Sequence, residues 1–383
     1  MAAILIGAAF GFAYLLRLFE VDAHGVSLFV GKPPTLDFTN LWYGGRLALD
    51  GRADALFDLS AYRAGLERMF GSPLQTSEWS YPPSLLLVGA PLALLPLYGA
   101  YGLWTLGTLA ALALVLRNAG VPPIGCLLLL VSPAVLNNIF FGHNGAATAA
   151  LFVGGLLVAQ RRPWLAGLCF GLFTMKPHLG VLLPVCLIAT RNWRAIGWSA
   201  LFALSLAGLS GAIFGWGVWV GFWEVTRPLM RAVLEAPYGN GYQQNAATLF
   251  LTARWLGSSL TSAYLVQMLA LGACAIIVWK LWRSGLRLEL KIAATAMLTP
   301  LSTPYAYSYD MVVVAAGALI VAYRYRPHVA LLPLWVLPLL VAPLNRSVGQ
   351  VAPLILIACL VALLATARRG RDPDTNLIPS NEV

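Results

Sequence analysis

The 383-residue chain is 59% hydrophobic and only 10% charged, with a mean hydropathy of +0.76, whereas ordinary soluble domains are about 25% charged. Apolar runs of helical length at this density exclude an ordinary soluble enzyme and imply an all-α polytopic membrane protein. The formal net charge of +10 does not point to nucleic acid. Its basic residues, such as Arg117, Arg161, Arg194, Arg283 and Arg324, sit in short turns between apolar runs, the positive-inside pattern.

In chain order, residues 2–19 form the first apolar run. It has no basic leader and no small-residue cleavage site before Arg17, so it is expected as a retained anchor with its N-terminus inside. Residues 20–81 then form an extracytoplasmic loop that holds eight of the fifteen carboxylates, and none occurs between Trp79 and Trp223. Within this loop, residues 41–50 and 59–70 predict amphipathic helices lying on the membrane as a lid or rim, with Asp58 capping the second.

Residues 82–96 are a short, proline-broken stretch. Read as a re-entrant or juxtamembrane hairpin, they leave every later basic turn on the cytoplasmic side. The runs at 98–116, 122–141, 145–159, 164–175, 179–190, 196–214, 262–282, 292–301, 311–323, 329–343 and 351–367 complete about twelve transmembrane helices. Several fall short of the about 20 residues a bilayer core needs, which implies tilt, a thinned bilayer or burial against neighbours. Residues 1–367 thus make one transmembrane domain, and 368–383 a polar, disordered cytoplasmic tail. The five cysteines lie in apolar runs without paired spacing, as packing residues do.

This topology collects the chemically useful polar groups on the outer face: the loop at 20–81, the turns at 142–145 and 176–178, the segment 215–245, and the turns at 303–310 and 345–346. Their motifs include Leu36-Asp37-Phe38, Gly45-Arg46-Leu47-Ala48-Leu49-Asp50-Gly51, Leu56-Phe57-Asp58 and Tyr81-Pro82-Pro83. Further along come Ser132-Pro133-Ala134-Val135, Gly142-His143-Asn144-Gly145, Lys176-Pro177-His178-Leu179-Gly180, and Thr303-Pro304-Tyr305 followed by Tyr309-Asp310. In order and spacing the chain resembles glycosyltransferase family 87, the polyprenyl-phosphate-dependent enzymes of the C-type superfamily that include bacterial mannosyl- and arabinofuranosyltransferases. Two positions depart from the family pattern: Phe57 where Tyr is frequent, and His143 where Gln is common.

The resemblance implies a C-type bundle in the bacterial cytoplasmic (inner) membrane with its active site on the periplasmic side. It also implies a polyprenyl-phosphate sugar donor, a lipid-linked or cell-envelope glycan acceptor, and inversion at the sugar carbon. Transfer to a hydroxyl needs a carboxylate near the nucleophilic oxygen, a contribution of about 10²–10⁴-fold. Asp37 is that candidate, with Phe38 and Trp42 beside it to hold a sugar face; the alternative is a cap for a helix starting near Asn40.

The donor phosphate calls for cations, and Lys176, His178 and His143 are the candidates. The alternatives are a snorkelling lysine, a hydrogen-bonded core histidine and a simple helix cap. Asn144, Tyr305, Tyr309, Asp310, Tyr81 and Arg46 are expected at the substrate, although Asp310 can equally cap the next helix and Tyr81 can serve packing. Arg227, Arg231, Tyr242, Gln243, Gln244 and Asn245 are expected near the acceptor.

No glycine-rich phosphate loop or zinc spacing occurs, and no Asp-x-Asp pair lies in the first loop, so transfer is expected to need no metal and no cofactor. A multi-span transporter or flippase of an anionic substrate is the other reading. Against it, Lys176 has no counterpart in a second half, as paired broken helices would give.

Overall fold

The computed structural model describes residues 2–71, 77–324 and 331–369, and the described residues are helical apart from turns and two isolated bridges. The expected tail lies almost wholly outside the described residues, as does Arg326. Among the described residues three helices are long and apolar enough to cross a membrane: Leu97–Asn118, Trp193–Phe214 and Leu260–Arg283. Each has a local reason to start and stop. Leu97–Asn118 follows Pro96 and runs into Gly120 at φ +83. Asn192 caps Trp193–Phe214 through the Ala195 amide, and Gly215 at φ +85 ends it. Ser259 caps Leu260–Arg283, whose last turn carries Lys280 and Arg283, the charges favoured at a helix C-terminus.

Their outward faces are apolar. Leu106, Leu204 and Leu269 are more than 70% or about 70% exposed, a surface that hydrocarbon covers and water would not.

The other apolar runs form shorter helices. Gly145–Val158, at 14 residues, rises about 21 Å against a hydrocarbon core of about 30 Å. The run expected over 122–141 is broken into Pro123–Leu130 and Pro133–Phe140, bent by 46°. Pro133 can donate no hydrogen bond to the preceding turn, and the Ser132 hydroxyl caps the new helix instead through the Val135 amide at 3.3 Å. Residues 83–92 form a 3₁₀ turn and a short helix, Leu86–Leu92, rather than a full crossing length.

Small residues allow close helix packing, the usual device inside a bilayer. A side chain at Gly167 or Gly171 of helix Pro163–Leu172 would strike Trp198 or Phe202 of Trp193–Phe214. The main core gathers buried Ala293, Ala294 and Ala296 of Leu288–Leu298 with Ala315, Ala316 and Ile320 of Val312–Arg324.

In the outer loop, Leu59–Phe70 forms as expected, with Asp58 accepting from the Ser60 and Ala61 amides at 3.0 Å and Gly71 at φ +64 closing the end. The preceding helix, however, begins at Asp37 and not near residue 41 (Asp37–Leu49). It does not lie free as a lid. Phe38, Leu41, Tyr43 and Leu47 are buried, and Gly45 sits directly against the Gly89 backbone of Leu86–Leu92, where any larger residue would force the two apart.

Candidate active site

Asp37 opens its helix, and the residue before it is strained: Leu36 has φ +40 and ψ −114, a conformation that costs a non-glycine residue about 1–3 kcal/mol. The cap position is Leu36, which makes no side-chain cap bond, and Asp37 stands in the first turn of the helix rather than ahead of one starting near Asn40. The Asp37 amide donates to the Phe141 carbonyl at 3.1 Å. That bond ties the start of the loop helix to the turn Gly142-His143-Asn144-Gly145 that follows helix Pro133–Phe140.

Two glycines permit the junction. Gly142 has φ +65, and a Cβ there would meet the Thr35 carbonyl and, at 2.9 Å, the Phe38 amide. At Gly145 a Cβ would meet the Tyr309 carbonyl and the Asn138 amide oxygen. The turn is therefore wedged between the Asp37 helix and the Tyr309 segment. A Gly142→Ala variant is expected to lose about 2–4 kcal/mol of stability through backbone clash and strain; thermal unfolding in detergent measures it, and a wild-type midpoint contradicts it.

The wedge lines up a contiguous series of groups. His143 Nε2 lies 2.5 Å from Asp37 Oδ2, and Nδ1 has no hydrogen-bond partner among the described residues. The His143 ring stacks on Tyr309, with centroids 3.5 Å apart and planes at 20°. Lys176 Nζ sits 5.1 Å from the same Tyr309 ring and 2.6 Å from Asp310 Oδ1. Asp310 Oδ2 accepts from the Tyr307 amide at 3.1 Å.

Lys176 is 6% exposed and Asp310 4%, so the lysine does not snorkel. Burial of an unpaired ammonium in such a place is unfavourable by several kcal/mol, and Asp310 removes most of that penalty. Asp37 keeps 29% of its side-chain surface accessible. Burial pushes its carboxyl up; the His143 ring beside it, helped by Lys176 and Lys32, outweighs that push and holds the carboxyl below its ordinary value.

The turn carrying Tyr305 to Asp310 is itself pinned from the other long outer segment. The Ala247 amide donates to the Ala306 carbonyl at 3.0 Å, and the Ser308 amide to that of Asn245 at 2.8 Å. Asn137 of Pro133–Phe140 adds a bond from its side-chain amide to the Ser308 hydroxyl at 2.8 Å.

Together these segments enclose a cavity of about 620 Å³. Of the expected residues it brings together Asp37, His143, Lys176, His178, Tyr81, Tyr305, Tyr309 and Asp310. Arg46 and Asn144 are not among its walls. Arg46 lies 3.9 Å from Asp50 on an exposed helix face, and Asn144 is buried with Oδ1 lacking a partner among the described residues. Phe38 and Trp42 are elsewhere too: Phe38 packs on Tyr101 at 5.3 Å, and the Trp42 indole donates to the Leu95 carbonyl at 2.9 Å. The ring of one and the indole N–H of the other are thus committed to the scaffold.

From the long outer segment the cavity takes Arg227, Arg231 and Tyr242. Gln243 and Gln244 do not join them. Gln243 is 1% exposed and completes a capping box with Asn240, while Gln244 bonds the Gly239 carbonyl and accepts from Arg346. Asn137 and Asn138, whose side chains hold the two turns in place, went unnoticed in the sequence. Adjacent amides inside the apolar run 122–141 were the available signal, since a polar pair at that depth must find partners.

The profile of one protein family, glycosyltransferase family 87, matches residues 79–304. His143, Lys176, His178, Arg227 and Tyr242 fall inside that match, and Asp37 and Tyr305–Asp310 outside it. No curated protein and no solved structure matches the chain.

Proposed function

This chain belongs to glycosyltransferase family 87 and is a membrane glycosyltransferase, and from that premise we propose that it moves a sugar from a polyprenyl-phosphate donor to a hydroxyl of a lipid-linked or cell-envelope glycan, with inversion. Asp37 is the general base. The observation that carries the reading is the meeting of an accessible carboxylate, Asp37, with a buried Lys176–Asp310 pair in one cavity.

In the transfer, the acceptor oxygen forms its bond to the anomeric carbon on the face opposite the phosphate. Asp37 takes the hydroxyl proton as that bond forms. The carbon–oxygen bond to phosphate breaks, its electron pair stays on the phosphate oxygen, and a lipid monophosphate leaves. Tyr81, Tyr305 and Tyr309 present rings and hydroxyls to the sugar, and His178 adds a further donor or acceptor. The site is on the extracytoplasmic side of a bacterial inner membrane in this reading, and neither a metal nor a cofactor takes part. The sugar is mannose-like or an arabinofuranose.

The direct test uses the purified protein in liposomes with a sugar-labelled polyprenyl-phosphate donor and, separately, a nucleotide sugar. Label passing from the lipid donor to a glycan acceptor with inverted anomeric configuration supports the reading. Transfer from the nucleotide sugar alone contradicts it.

Acid sensitivity follows from the electrostatics. With its carboxyl held below the ordinary 3.8, Asp37 stays ionised through the mildly acid range. The stability gained from its pairing is complete above that ordinary value and is lost as pH falls through the depressed one. Replacing His143 by Gln removes the main opponent of the burial effect, so the acid limb of kcat should move to higher pH. A limb that does not move separates His143 from that role.

A further inference from the structure

A lipid-phosphate donor brings a negative charge into the cavity, and that charge roughly doubles as the phosphate leaves. Which cation meets it can be decided by asking which are already committed. This inference rests on the reading of the cavity as a polyprenyl-phosphate sugar site.

Three lysine and arginine side chains line the cavity: Lys176, Arg227 and Arg231. Lys176 is held by Asp310 at 2.6 Å. Arg231 is held by Glu235 at 2.7 Å, and the Tyr264 hydroxyl donates to the same carboxylate oxygen at 2.7 Å. Among the described residues Arg227 has no carboxylate within ion-pair distance. Its guanidinium instead lies 4.1 Å from the ring centroid of Trp223. Stacking of this kind holds the planar fork in one orientation and leaves its N–H groups free to meet a phosphate.

The local backbone presents Arg227 in this way. It starts the helix Arg227–Glu235, directly after a π-helical turn over Phe222–Thr226, an irregularity that re-aims side chains and is frequent at functional sites. The Thr226 hydroxyl donates to the Trp79 carbonyl at 3.2 Å and fastens this turn to the segment carrying Tyr81. Outward from the same turn, Trp216, Val220 and Trp223 are 63%, 53% and 55% exposed. Exposed tryptophans beside apolar side chains are the composition of a membrane interface.

We propose that Arg227 is the phosphate-binding residue for the lipid donor, and that the isoprenoid chain leaves the cavity past Trp223 and Val220 toward the bilayer. The buried Lys176 is then a positioning residue that, with Asp310, fixes the Tyr305–Asp310 turn and the Tyr309 ring. As the sugar–phosphate bond breaks, the electron pair moves onto the phosphate oxygen next to Arg227, so the contact strengthens toward the transition state.

The experiment measures binding of farnesyl phosphate, a short isoprenyl monophosphate, to the full-length protein in detergent. Arg227→Gln should weaken binding about ten- to a hundredfold, the range for removing a hydrogen bond to a charged group. Arg227→Lys should recover part of it, and farnesol, which lacks the phosphate, should bind both variants as it binds the wild type. If the wild type binds farnesyl phosphate and the Gln variant binds it equally well, the assignment to Arg227 is overturned while the donor reading stands. If inorganic phosphate displaces farnesyl phosphate at equal concentration, the site holds a free anion and the lipid assignment is overturned. A wild type that transfers sugar yet does not bind farnesyl phosphate overturns the donor reading and this one with it.

Discussion

Asp37→Asn should reduce sugar transfer by about 10²–10⁴-fold, the contribution of a positioned base, while donor binding stays near the wild-type level. The substitution keeps the side chain's shape and removes its capacity to accept a proton as the new bond forms. Because the cap position of the helix that starts at Asp37 is Leu36 and Asp37 lies in the first turn, the substitution does not unravel the element that carries it. The main structural consequence is the end of the contact with His143. Transfer measured in membranes with labelled polyprenyl-phosphate sugar, together with donor binding, separates the outcomes. Loss of transfer with binding retained supports catalysis, and unchanged transfer removes Asp37 from the role. A transporter or flippase would form no glycosidic product with either protein.

The second large effect concerns stability. Lys176 and Asp310 are both nearly inaccessible and 2.6 Å apart. Removing either partner alone leaves a buried charge uncompensated, which typically destabilises by about 3–5 kcal/mol. Lys176→Met strands the Asp310 carboxylate, although the Tyr307 amide still donates to it. Asp310→Leu strands the ammonium and leaves the Tyr307 amide without its side-chain acceptor. The paired replacement Lys176→Met with Asp310→Leu exchanges two charges for two apolar side chains and should recover a substantial part of the loss, because buried pairs are frequently close to neutral against well-packed apolar isosteres. Thermal unfolding of the four proteins in one detergent closes the double-mutant cycle. Single variants within about 0.5 kcal/mol of the wild type would show that water reaches this pair and that the burial argument is wrong.

Much of the local structure can be read directly from residues close together in the chain. Asp58 before an amphipathic stretch and Gly71 after it mark a helix whose two ends match expectation, because capping bonds act over three or four residues. The break at Lys176-Pro177 is legible for the same reason: proline cannot continue the preceding helix. The helix at Asp37 starts four residues before the apolar spacing predicts, since its start is set by a long-range bond from its amide to Phe141 and by a strained Leu36, neither of which leaves a local signature. The run 122–141 looks continuous by hydropathy, and only the 46° bend at Pro133 separates it into two helices. Arg46 sits in a stretch that resembles the family, yet its helix turns it toward Asp50 and away from the cavity.

The amino-acid order by itself determined that this is a helical membrane protein, where its punctuation falls, and which polar turns are candidates for chemistry. Those properties depend on hydrophobicity and on backbone rules that act within a few residues. Only the tertiary structure decided that Asp37 meets His143, that Lys176 is bound to an aspartate 134 residues away, and that Arg227 is left with an aromatic ring and, among the described residues, no acid. Charge compensation in a low-dielectric interior depends on which helices pack together, and packing here turns on close approaches such as Gly45 on Gly89 and Gly142 on Thr35, which no short stretch of sequence encodes.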